Sequence, residues 1–296
     1  MQRFRAKWLK STLRWLILTA VVFFLFQSLQ KHWQEVTKLR IDGRGMACLV
    51  VAIGVTLLAH IFAGYVWSWI LGVLSYRVSG SWSAQTYLKT NIAKYLPGNV
   101  WHFYGRINAA KQIGIPIAPT TLSILLESLL MAGAACLFAL LRFHSAIWLQ
   151  GAIVIVILIA IHPAFLNIAL KQVSKLKQST ALIQIDRYPL LPLLGELGFL
   201  GLRSVGFILT FLALRSISSA ELPLLFSGFA WAWLLGFIIP GLPGGIGVFE
   251  ALAVAIFSQA FPSAQVLAVV ALYRFVNTLA EAMGAGLAAI GERWSR

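Results

Sequence analysis

The chain has 296 residues, of which 59% are hydrophobic and 11% charged, and it carries a net charge of +15. A soluble domain has about 25% charged residues, and a soluble core could not hide apolar runs this long, so a soluble globular fold is excluded. The positive charge does not argue for nucleic acid, because the cations are not gathered in a basic domain. They sit mostly in short segments between apolar runs, where positive charge sets membrane orientation.

About 20 apolar residues in a helix cross the hydrocarbon core, and the pattern predicts an all-α transmembrane bundle of about eight spans. The basic start (Arg3, Arg5, Lys7, Lys10, Arg14) leads into an apolar run without a small-x-small cleavage pattern. A retained first span over 15–29 is therefore expected. Further spans are predicted over 46–74, 119–141, 147–166, 190–214, 222–239, 246–261 and 264–290, all within a single membrane domain over 1–296. Cys48 and Cys136 fall in separate apolar runs without CxxC spacing and read as small buried hydrophobes. Most tryptophans flank spans (Trp8, Trp15, Trp67, Trp69, Trp82, Trp148 and Trp294 among them) and read as interface anchors.

With the N-terminus cytoplasmic, the inner segments hold 16 Lys/Arg and the outer loops 6. This bias predicts that both termini are cytoplasmic, in a cell (inner or plasma) membrane. The segment 80–115 is too long and too polar for a turn. Ala84, Leu88, Ile92 and Tyr95 recur there at helical spacing. They suggest an interfacial or re-entrant helix broken at Pro97-Gly98, with an ordinary loop helix as the alternative.

Leu96-Pro97-Gly98-Asn99-Val100-Trp101-His102-Phe103 resembles Leu242-Pro243-Gly244-Gly245-Ile246-Gly247-Val248-Phe249, with four of eight positions identical. Transporters often derive from duplicated halves whose broken helices meet inside the membrane. Pro240 to Gly247 is too rich in proline and glycine for a regular helix. A helix starting near Ile246 would present free N–H groups, and glycines would let a phosphate approach them. A tight structural turn is the competing reading.

Glu127, Glu196, Arg203, Glu250, Arg274 and Glu281 fall within or at the edge of apolar runs. Such residues face a bundle interior, pair with one another, or line a pathway. Glu196 and Arg203 are seven apart, as are Arg274 and Glu281. A rise of roughly 10.5 Å is long for a direct pair, so partners from other helices are expected, with Glu127 and Glu250 as candidates. A structural ion-pair network and a substrate or proton pathway are both open readings. His60 and His162 read as satisfied interior histidines. His102, close to Arg106, is a candidate headgroup contact. Hydrolase and metal motifs do not occur in the sequence, and no cofactor or metal is expected.

At residues 96–106 and 243–250 the chain resembles the lysylphosphatidylglycerol synthase transmembrane region, also found as stand-alone flippase-like membrane proteins. Pro97-Gly98 with Arg106, Glu127, Pro243-Gly244-Gly245-x-Gly247-x-x-Glu250, and Tyr273-Arg274 carry the resemblance. It implies a membrane unit that moves a phospholipid or lipid-linked headgroup between leaflets, without the soluble synthase domain. The implied contacts are Pro97, Gly98, His102, Arg106, Gly244, Gly245, Gly247, Glu250 and Arg274. Trp101 and His102 stand where relatives often have a small residue and an acid, and Ser128 where they often have arginine. An intramembrane transferase acting on a lipid-linked sugar and a non-catalytic assembly factor are the alternatives.

Overall fold

A computed structural model describes residues 41–96, 100–142, 147–168, 184–185, 187–238 and 248–294. The predicted first span, the Pro97-Gly98 break and the glycine-rich segment before Val248 lie outside these residues. The described residues are helical, without a strand. In chain order the helices are α1 (Gly43–Val73), α2 (Gly80–Asn91), α3 (Trp101–Gln112), α4 (Ile117–Ala139), α5 (Ile147–Ala160), α6 (Leu190–Leu212), α7 (Leu222–Ile238), α8 (Val248–Phe257) and α9 (Ser263–Trp294). A 3-10 turn, Ile92–Tyr95, extends α2.

Among the described residues five helices are long and apolar enough to cross a membrane: α1, α4, α6, α7 with the turn before it, and α9. The chain is therefore read as membrane-embedded. The segment predicted as a fourth span leaves the helix after Ala160, and His162 starts a second short helical run by accepting from the Ala164 N–H. Pro163 lacks the N–H that would continue the first. The predicted seventh span is Val248–Phe257, ten residues long. That is about 15 Å at helical rise, half the hydrocarbon thickness.

One face of α1 carries Ala52, Thr56, Ala59, His60, Ala63, Trp67 and Ile70, all buried and spaced by three or four residues. Small residues on this face let neighbouring helices approach closely. A Cβ on Gly64 would overlap the Ala84 backbone of α2, so α2 lies directly on α1. The other side of α1 receives α6, and α9 also packs against it. Trp67 is not the interface anchor expected for it. It is fully buried, its indole N–H donates to Ser123 Oγ at 3.0 Å, and its ring stacks on Trp82.

An aromatic core holds α6, α7, α8 and α9 together. Phe207 sits at its centre, with Phe211, Phe229, Phe257 and Tyr273 rings at 5.2–5.4 Å. The described residues of the 80–115 segment form two helices, α2 with its 3-10 turn and α3, and the expected break at Pro97-Gly98 lies outside the described residues. Ala84 and Leu88 are buried as their spacing predicts, but Ile92 is exposed. α2 packs against both α1 and α9, and α3 against α2 and α4. The described helices of the segment are thus packed into the bundle.

Candidate functional site

The helices line a partly open cavity of about 360 Å³. His60, Glu127 and Arg203 project into it from the middle of α1, α4 and α6. The cavity therefore lies at mid-length of these apolar helices. Among the described residues four cations line it: Lys94, Arg106, Arg203 and Arg274. Its remaining wall is largely aromatic and apolar, including Phe199, Met131, Trp233, Phe237 and Phe249.

Arg106 enters from α3. Its guanidinium donates to Glu127 Oε2 and lies 4.4 Å from the Tyr87 ring centroid, within reach also of Trp67 and Phe103. Both partners of this ion pair are almost completely buried. The aromatic box and the carboxylate together offset the cost of taking a guanidinium out of water. The free Oε1 of Glu127 has no hydrogen-bond partner among the described residues.

The opposite side is a polar cluster on α9. Lys94 Nζ lies 2.5 Å from Glu281 Oε1, and Asn277 Nδ2 donates to the same oxygen at 2.9 Å. His60 Nε2 is 3.2 Å from it. Arg203 Nη1 donates to Asn277 Oδ1 and lies 3.1 Å from His60 Nε2. Arg203 Nε and His60 Nδ1 are buried without a partner among the described residues. Tyr273 joins this cluster to the aromatic core, its hydroxyl donating to the Arg203 carbonyl at 3.3 Å.

Arg274 completes the lining. Its Nε donates to Glu250 Oε1 at 2.6 Å, which ties α9 to the start of α8. Burial, then the charges of Arg106 and Lys94, push the His102 imidazole down to about 3, so it is neutral at ordinary pH. Burial also lowers Lys94, against the opposing attraction of Glu281. Burial, reinforced by the Glu281 charge, pushes the neighbouring Tyr95 hydroxyl up to about 12.

The structure therefore brings together His102, Arg106, Glu127, Arg203 and Arg274 around one cavity, with Glu250 and Glu281 bound to cations on its wall. Of the two carboxylates expected to partner Arg274 or Arg203, Glu250 binds Arg274, whereas Glu127 binds Arg106. Pro97, Gly98, Gly244, Gly245 and Gly247 lie outside the described residues. Glu196 is fully buried behind the lining, and neither of its carboxyl oxygens has a partner among the described residues. His60, expected to be a satisfied interior histidine, instead lines the cavity with an unpartnered nitrogen.

The lining residues that the sequence did not single out include Lys94, Asn277 and Tyr87. Asn277 was the most accessible of them. It lies three residues after Arg274 and four before Glu281, so all three share one face of an otherwise apolar helix. Lys94 was counted among loop cations that orient the chain, yet it and Arg106 are paired inside the bundle. Among the described residues no group of three or more His, Cys, Asp or Glu is arranged to hold a metal ion. The chain matches no protein-family model and no curated protein.

Proposed function

We propose that this membrane protein is a lipid transporter that takes an anionic headgroup, phospholipid or lipid-linked, into the cavity and passes it between leaflets. One observation carries the reading. Among the described residues four cations line a cavity at mid-length of the apolar helices, and Arg203 among them has no carboxylate partner there. An unneutralised guanidinium at that depth is costly to keep, and a transient negative charge would offset it. The aromatic and aliphatic wall suits the glycerol and upper acyl region of a lipid. The resemblance to the flippase-like transmembrane region points the same way. The membrane is then the cell membrane, the termini are cytoplasmic, and the partners are its lipids.

The test is leaflet exchange of a fluorescent phosphatidylglycerol in proteoliposomes. Wild type should accelerate exchange over protein-free vesicles, and Arg203→Gln should reduce the acceleration at least tenfold. Exchange by Arg203→Gln at the wild-type rate would refute the assignment of the headgroup to this cavity. A product formed from a lipid-linked sugar without exchange would favour the transferase reading instead.

A further inference from the structure

We propose that Glu127 in the cavity wall and Glu196 behind it form a proton-binding pair, and that an anion bound against Arg106 takes up one proton with it. The inference rests on the anionic-headgroup reading above and adds a co-substrate to it.

The packing of α4 on α6 brings Glu127 and Glu196 to the same interface. Leu126 and Leu130 meet Leu193 in one apolar cluster, and Met131 joins Phe199 in another. Glu127 and Glu196 lie between these contacts, on facing stripes of their helices, near enough for their charges to act on each other. They are 2% and 0% exposed. Of their four oxygens, Glu127 Oε2 receives Arg106, and the other three have no hydrogen-bond partner among the described residues.

Charge balance decides what this cluster holds. Arg106 is the cation facing the pair from α3, and Tyr87 faces Glu127 from α2 with its hydroxyl. From α1, Val66 and Trp69 pack on Gly195 beside Glu196, and the titratable His60 is engaged with Glu281, Asn277 and Arg203. From α7 the cavity receives the neutral Trp233. One guanidinium neutralises one carboxylate, and a second bare carboxylate in this surrounding is strongly disfavoured. The neutral arrangement is one arginine, one carboxylate and one carboxylic acid, a coupled pair that titrates as a unit.

An anion arriving at Arg106 from the cavity shares that guanidinium with the remaining carboxylate. Two negative charges then face one cation. A proton from the aqueous phase forms an O–H bond on the carboxylate and restores neutrality. No electron moves and no other bond breaks. Thermodynamic linkage makes the coupling reciprocal, so protonation strengthens anion binding as much as the anion strengthens protonation.

The experiment is titration calorimetry of the full chain in nanodiscs with dihexanoylphosphatidylglycerol, whose phosphodiester does not titrate near neutral pH. The titration is run in ACES, HEPES and Tris, which differ in ionisation enthalpy. Wild type should take up one proton per lipid bound, and its affinity should fall by up to about tenfold per pH unit as pH rises. The Glu127→Gln, Glu196→Gln double variant should bind with no uptake, and with the same affinity at pH 6 and pH 8. Binding without uptake in wild type would overturn the coupling while leaving the headgroup site intact. Uptake persisting in the double variant, or dependence on sodium in place of pH, would also overturn it. Absence of any binding of this probe would refute the headgroup reading and the coupling with it. If the double variant does not fold, the wild-type buffer series decides alone.

Discussion

Lys94 Nζ and Glu281 Oε1 lie 2.5 Å apart, although 187 positions separate them in the chain. The pair fastens the turn after α2 to the middle of α9, and the Glu281 side chain is 1% exposed. Removing one partner of such a pair leaves a buried charge without compensation, at a cost of about 3–5 kcal/mol. Lys94→Met should therefore lower the melting temperature clearly in detergent or nanodiscs. Combining it with Glu281→Gln should restore much of the loss, because both charges are then gone. A double variant no more stable than Lys94→Met would contradict the pairing.

The contrast is Arg215 with Glu221. Their side chains are 28% and 24% exposed, next to a capping box at Ser218. Screened pairs of this kind contribute at most about 1 kcal/mol. Arg215→Gln should leave the melting temperature nearly unchanged, and the leaflet-exchange rate as well.

Phe207 is fully buried at the centre of the aromatic core. Truncation of a buried phenylalanine costs about 3–5 kcal/mol. Phe207→Ala should be among the most destabilising single changes outside the cavity, whereas Phe207→Leu should recover part of the loss. Thermal unfolding followed by tryptophan fluorescence would measure both.

His102 predicts a pH signature. Its folded value, about 3, lies below the unfolded value of about 6.5. Above pH 6.5 both states hold the imidazole neutral, and the stability it permits is fully present. As pH falls from about 6.5 toward 3 the unfolded chain binds a proton that the folded chain refuses. Stability should then drop by about 1.4 kcal/mol per pH unit from this group. His102→Asn should flatten that part of the pH profile relative to wild type.

Gly64 reports the contact of α1 with α2. A side chain there meets backbone rather than a movable side chain. Gly64→Leu should force the helices apart, at about 1–3 kcal/mol or more, and should raise the reactivity of the Trp67–Trp82 stack to aqueous quenchers. Unchanged quenching would place α2 farther from α1 than the structure has it.

The membrane class was legible in the sequence, because hydrophobicity over about 20 residues is a local property that needs no partner. The same holds for Glu127, Glu196, Arg203 and Glu281 as buried charges, and for the half-buried Arg274: a charge inside an apolar run is conspicuous whatever surrounds it. Helical spacing even excluded the same-helix pairs, since seven residues is too long a reach. What spacing could not decide was which helices meet. That Arg106 pairs with Glu127, and Lys94 with Glu281, depends on α2 and α3 folding into the bundle instead of lying on its surface. That fold follows from close approaches at Gly64 and from interhelical packing, which one-dimensional patterning does not carry. For the same reason Lys94 read as a loop cation, and Trp67 as an anchor. The sequence by itself determined that ionisable groups would be buried in an apolar bundle. Only the tertiary structure decided that they converge on one cavity, because convergence is a property of helix packing and charge compensation across elements far apart in the chain.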